Sequence, residues 1–160
     1  MTRLIRSIAV APVLLSMMFS NAITLHAFPP LSASPESDPL EARSDAHKIA
    51  SKFYGRGYTR ITPLANGDNL VTFAKFDVNL PKGMDVVLMV GKDEALPDID
   101  LYVESDSGSM IKTDTRPISR ACVEFNAPYN GDYKIIVRLA PSAVIGHFAV
   151  LIGVRPSGYQ

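Results

Sequence analysis

The sequence predicts an all-β domain, an antiparallel β-sandwich or jelly roll, with one short helix before it. Three observations carry that reading. From about Tyr58 onward apolar and polar residues alternate with a period of two, the alternating runs are separated by Pro, Gly and Asn turn residues, and helical spacing is confined to one segment. The chain has 160 residues, 47% hydrophobic and 20% charged, enough for one domain with a real core. Its 16 basic and 16 acidic side chains cancel, so no basic face speaks for a nucleic-acid partner.

Residues 1–27 read as an export signal. Arg3 and Arg6 form a basic start, and the uncharged apolar stretch Ile8 to Phe19 is too short to span a bilayer as a helix. Cleavage is expected after Ala22, behind Ser20-Asn21-Ala22, or after Ala27; a retained N-terminal anchor is the competing reading. The mature protein is expected in the periplasm or outside the cell, with no stable membrane anchor. That compartment is oxidising, yet Cys122 is the sole cysteine, so stability must come from packing.

Residues 28–43 carry Pro29, Pro30, Pro35 and Pro39 among several serines, which predicts a flexible or extended leader. A helix is predicted over 44–57. Ser44 or Asp45 can cap it, Ala46, Ile49, Ala50 and Phe53 line one face, and Gly55 with Gly57 stops it. Its Phe53 face should be buried against the β-domain, residues 58–160.

Within that domain, Leu70, Thr72, Ala74, Phe76, Val78 and Leu80 share one face of a strand that Pro81-Lys82-Gly83 terminates. Asp85 to Val90 is apolar on both faces, as a central strand covered on each side would be. In Asp98 to Glu104, Ile99, Leu101 and Val103 face one way while Asp98, Asp100, Tyr102 and Glu104 face the other. Met110 to Thr113, Ala121 to Phe125, Tyr133 to Leu139 and Phe148 to Val154 supply four more strands. Leu101, Val123, Phe125, Tyr133, Ile135 and Val137 are the expected core.

The run Pro97-Asp98-Ile99-Asp100-Leu101-Tyr102-Val103, then Gly108, then Val123 through Ala127-Pro128-Tyr129-Asn130-Gly131-Asp132-Tyr133 to Val137, resembles the bacterial pre-peptidase C-terminal (PPC) domain. The resemblance covers about Leu70 to Val154. It implies a jelly-roll-like sandwich, usually appended to secreted peptidases, related to collagen- and polysaccharide-binding modules and in some relatives calcium-binding. This chain has a helix where that family has a peptidase domain, so it resembles a stand-alone exported form.

Few residues carry chemistry. Asp106-Ser107-Gly108 matches the aspartic-peptidase triplet, but Glu104 and Ser105 stand where that motif needs apolar strand residues, which makes it a polar turn. There is no Gly-x-Ser-x-Gly, and His47 and His147 are the only histidines beyond the signal, so neither nucleophilic catalysis nor a zinc site is expected. Carboxylates are the enriched class: Asp98 and Asp100 lie on one strand face roughly 6.6 Å apart, and Asp93 and Glu94 precede them. These four form the candidate calcium site, with a solvated polar face as the alternative. Tyr102, Glu104 and Tyr129 are the candidate ligand surface, since an aromatic ring beside carboxylates can stack on a sugar or pack on a peptide; the alternative is structural, with Tyr102 packing over a neighbouring strand and Tyr129 stapling the loop at Asn130-Gly131. The expected function is an exported, non-enzymatic module that binds an extracellular or envelope polysaccharide or protein. The alternative is a carboxylate-dependent hydrolase, or a peptidase accessory protein.

Overall fold

The computed structural model describes residues 37–58, 60–117 and 120–158. The expected signal and most of the expected leader lie outside the described residues. Among the described residues the elements are α1 (Pro39–Tyr54), β1 (Arg60–Asp68), β2 (Phe73–Leu80), β3 (Met84–Lys92), β4 (Ile99–Ser105), β5 (Met110–Asp114), β6 (Ala121–Asn126), β7 (Gly131–Leu139) and β8 (His147–Pro156). The strands form two four-stranded antiparallel sheets, ordered β1-β8-β3-β6 and β2-β7-β4-β5. An all-β, two-sheet architecture with one helix is what the sequence predicts.

The two inner faces share one core. Val86, Leu88 and Val90 from β3 and Val123 and Phe125 from β6 meet Leu101 and Val103 from β4 and Tyr133, Ile135 and Val137 from β7. All six expected core residues are buried. A second, smaller core lies on the far side of β3 and β8. There Ala42, Ala46, Ile49, Ala50 and Phe53 of α1 pack on Val87, Met89, Ala149 and Leu151. The double-sided apolar pattern of β3 therefore has a physical cause: one face meets the other sheet and the other meets the helix. Gly91 lets the helix approach that closely. A Cβ added there would sit 2.5 Å from the Ala42 carbonyl oxygen and overlap the Ala46 backbone.

Three expectations about boundaries need correction. The helix begins at Pro39, not near Ser44, so residues 39–43 belong to it rather than to the leader. Asp38 is the N-cap, its carboxylate accepting the Leu40 N–H at 2.7 Å, and Pro39 stands in the first turn where a missing N–H costs nothing. Asp45 is consequently interior; it is 7% exposed and receives the Arg120 guanidinium, whose Nε donates to both its oxygens at 2.8 and 2.9 Å. The helix ends at Tyr54, short of the expected Gly57. The second correction is β1, for which the sequence shows no alternating run. It carries Pro63, Asn66 and Gly67, and its register with β8 slips between Pro63 and Ala65, which only an edge strand tolerates. Third, β2 starts at Phe73, leaving Leu70 to Thr72 in the loop before it.

Candidate functional site: the bare sheet face

The two outer faces of the sandwich differ. Helix α1 rests on β3 and β8, while no described helix or strand crosses the outer face of the β2-β7-β4-β5 sheet. Strand register aligns the outward side chains of that sheet in rows. Phe73, Arg138 and Asp100 form one; Lys75, Ile136, Tyr102 and Thr113 the next; Asp77, Lys134 and Glu104 a third. Tyr102 lies at the centre, half-buried, and its hydroxyl donates to Asp100 Oδ2 at 3.2 Å. Lys134 stands between the carboxylates of Asp77 and Glu104 in its row and donates to the Asp106 carbonyl at 3.0 Å.

At the end of the face where β4 begins, Thr72, Asp98, Asp100, Arg138, Leu139, Ala140 and Pro141 line a recess of about 280 Å³. Three chain segments are tied together there. Leu139 N–H donates to the Thr72 carbonyl at 3.0 Å and Ala140 N–H to the Asp98 carbonyl at 3.1 Å. Asp98 Oδ1 is buried and lacks a partner among the described residues. Arg138 is exposed and makes no ion pair with a described residue. In the chain on either side of Thr72, Leu70, Val71 and Phe73 are exposed apolar side chains, and Val144 is another in the loop before β8. Asn69 holds two of these loops together, donating from Nδ2 to the Val144 carbonyl at 2.9 Å and accepting the Gly146 N–H at 3.0 Å. The recess lies just below the size range of ligand pockets, roughly 300–1,000 Å³.

The predicted site residues divide between this face and other places. Asp98, Asp100, Tyr102 and Glu104 share it. Asp93 does not: it is 1% exposed, and its Oδ2 accepts the His147 N–H at 2.8 Å and the Asp38 N–H at 3.3 Å, joining the start of β8 to the start of α1. Glu94 is exposed, and its N–H donates to Glu41 of the helix at 3.4 Å. Among the described residues no three of the His, Cys, Asp and Glu side chains gather as a metal site. Of the four expected calcium ligands, Asp93 is thus engaged with the His147 and Asp38 N–H groups, while Asp98 and Asp100 share the sheet face. Tyr129 lies at the opposite end of the sandwich. Its ring stacks on Tyr133 at 4.7 Å and 6°, and the Tyr133 hydroxyl donates to its carbonyl at 2.9 Å, so it staples the β6–β7 loop.

The remaining candidates are structural. Asp106-Ser107-Gly108 is the β4–β5 turn, closed by the Gly108 N–H to the Ser105 carbonyl at 2.9 Å with Gly108 at φ 84°. Cys122 faces the helix side, and burial, reinforced by Asp114 and Glu124, pushes its thiol up to about 11. It is a neutral thiol at physiological pH. His47 is exposed on α1.

Arg138 is the recess-lining side chain that sequence reading misses. Alternation along β7 marks it as outward but says nothing of its neighbours; only the register that sets it opposite Asp100 makes it part of a site. No family model matches the chain, and no curated protein matches it significantly. No described helix is long and apolar enough to cross a membrane.

Proposed function

We propose that the protein is an exported, non-enzymatic binding module, a jelly-roll-like relative of PPC domains, that holds an envelope or extracellular polysaccharide or protein on the bare sheet face. The observation that carries this reading is the asymmetry of the sandwich: one outer face is apolar and covered by α1, while the other is left open and bears Tyr102 amid charged side chains. Tyr102 offers a ring for stacking at little entropic cost. Asp100, Glu104, Lys134 and Arg138 offer donors and acceptors on both sides of it, an arrangement suited to hydroxyl-rich or peptide chains. The recess at Asp98 takes one unit of the chain, and the strand direction sets the path of the rest.

The reading is tested by a glycan array and an envelope pull-down with wild type, Tyr102→Ala and Arg138→Ala. Either substitution should weaken capture about tenfold, as loss of one stacking or ionic contact of 1–2 kcal/mol would. Unchanged capture by both variants contradicts it. Export is tested by N-terminal sequencing of the protein recovered outside the cytoplasm, which should begin after Ala22 or Ala27.

A second reading, a carboxylate-dependent hydrolase, is favoured by one observation: Asp98 and Asp100 line the same recess. Turnover on a hydrolase panel that Asp98→Asn abolishes would establish it instead.

A further inference from the structure

The four edge strands of the sandwich are not equally protected. β1 carries Pro63 and a bulge. β5 has only five residues, and its register with β4 slips at Val103/Glu104. β6 lies against β5 across the sandwich. β2 has none of these devices: its eight residues contain no Pro and run in unbroken register with β7 from Phe73 to Leu80. A straight, uncovered edge of that length is a template for another strand.

We infer that β2 pairs antiparallel with β2 of a second copy of this chain, about a two-fold axis through Phe76. The hydrogen-bond phase permits it. Leu139 N–H donates to the Thr72 carbonyl, so Thr72 and every second residue after it, Ala74, Phe76, Val78 and Leu80, direct their backbone groups at β7. The N–H and C=O groups of Phe73, Lys75, Asp77 and Asn79 therefore point outward from the sheet edge. Centring the pair on Phe76 brings each of these opposite another outward residue: Lys75 faces Asp77 of the second copy, Asp77 faces its Lys75, and Phe73 faces its Asn79.

Charge and burial both select this register. The Lys75–Asp77 pair occurs twice by symmetry, on the solvent side, where opposite charges directly across an antiparallel ladder attract. On the core side Ala74 meets Val78, and the two Phe76 rings meet at the axis. Ala74, Phe76 and Val78 are the partly buried members of the core, exposed along the edge in one copy, and the pairing covers them. Sliding by two residues in either direction breaks the double charge match. The result is one continuous sheet in which two bare faces lie side by side.

Sedimentation of the purified protein over a range of concentrations tests the inference, with three variants. Wild type should dimerise reversibly. Lys75→Asp sets acid against acid twice and should weaken the dimer about tenfold or more. The swap Lys75→Asp with Asp77→Lys restores the charge match and should return the affinity to within a few-fold of wild type. Asp77→Pro removes one outward N–H while leaving the ladder to β7 intact, and should give a folded monomer with a cooperative melt. A wild-type monomer at every concentration overturns the inference, as does a dimer that neither Lys75→Asp nor Asp77→Pro weakens. Failure of the swap to restore a dimer that Lys75→Asp weakened overturns the register. A monomer that instead captures an extended peptide along β2 assigns this edge to a different partner.

Discussion

The covered and bare faces of this sandwich are built from the same period-two strands, yet they end differently. On the β3–β8 side the outward residues Val87, Met89, Ala149 and Leu151 are apolar, and α1 buries them beneath Ala46, Ile49, Ala50 and Phe53. On the β7–β4 side the outward residues are Lys134, Arg138, Asp100 and Glu104 around Tyr102 and Ile136, and no described element covers them. The contrast teaches that the second face of a strand decides what the strand is for. Where it is apolar the chain must supply a cover; where it is charged the face can remain available to a partner.

The covered side is held by more than apolar contact. Arg120 of the β6 lead-in clamps Asp45 in the middle of α1, and Tyr58 donates to Glu124 Oε1 at 2.8 Å while Arg56 pairs with the same carboxylate at 2.7 Å. Arg155 stacks over the Tyr58 ring at 4.7 Å. The bare face has fewer and more exposed ties: Tyr102 donates to Asp100, Lys134 reaches the Asp106 carbonyl and pairs with its carboxylate at 3.4 Å, and Lys75 lies over the Phe73 ring. Arg138 makes no ion pair with a described residue.

Substitutions should separate the two sides, and the largest effect belongs to the core they share. Leu101→Ala, from a side chain with no exposure, should cost about 2–5 kcal/mol, read from denaturant unfolding. An unchanged midpoint would mean that the β4 register is wrong. Next comes Gly91→Leu, which drives a side chain into the α1 backbone and should cost about 1–3 kcal/mol. It should also raise binding of a hydrophobic dye as Val87 and Met89 lose their cover, whereas substitutions on the bare face should not.

Acid should act through two carboxylates held below their ordinary range, Asp85, hydrogen-bonded by Asn126 and Ser157 and paired with Arg155, and Asp114 at the corner where the sheets meet. Asp114 is 7% exposed; hydrogen bonds from Arg116, and then from the Cys122 N–H at 2.9 Å, hold its carboxyl below the ordinary range. A depressed carboxylate contributes stability above its unfolded pKa of about 3.9, and that contribution is lost as pH falls through the folded value. Asp114→Asn should therefore be less stable at pH 7 by about 1–2 kcal/mol and lose less on acidification below pH 4. A variant with the wild-type acid profile would remove Asp114 from the account of acid unfolding.

Legibility in the sequence follows from how local each feature is. β3, β4, β6 and β7 could be read because burial imposes period two on consecutive residues, and β3 could further be read as covered twice. β1 could not, since as an edge strand it admits Pro63 and Gly67, which look like turn residues. The helix start was hidden because Pro39 reads as leader composition, although proline suits a first helical turn. Of the site, the outward row Asp98, Asp100, Tyr102 and Glu104 was legible along one strand. Arg138 and the recess were not, because they depend on the register of β7 with β4 and on the loop at Thr72, which no local pattern specifies.

Mapping a bound polymer onto the two faces tests the central claim most directly. Isotope-labelled protein titrated with a polysaccharide or peptide selected by capture should show amide shifts at Phe73, Asp100, Tyr102, Lys134 and Arg138, with α1 unmoved. Tyr102→Ala should move the midpoint of those shifts to about tenfold higher ligand concentration, at a stability cost of about 1 kcal/mol for a half-buried, hydrogen-bonded side chain. Shifts confined to α1, or to the loop around Tyr129 at the opposite end, would contradict the assignment of the bare face as the binding surface.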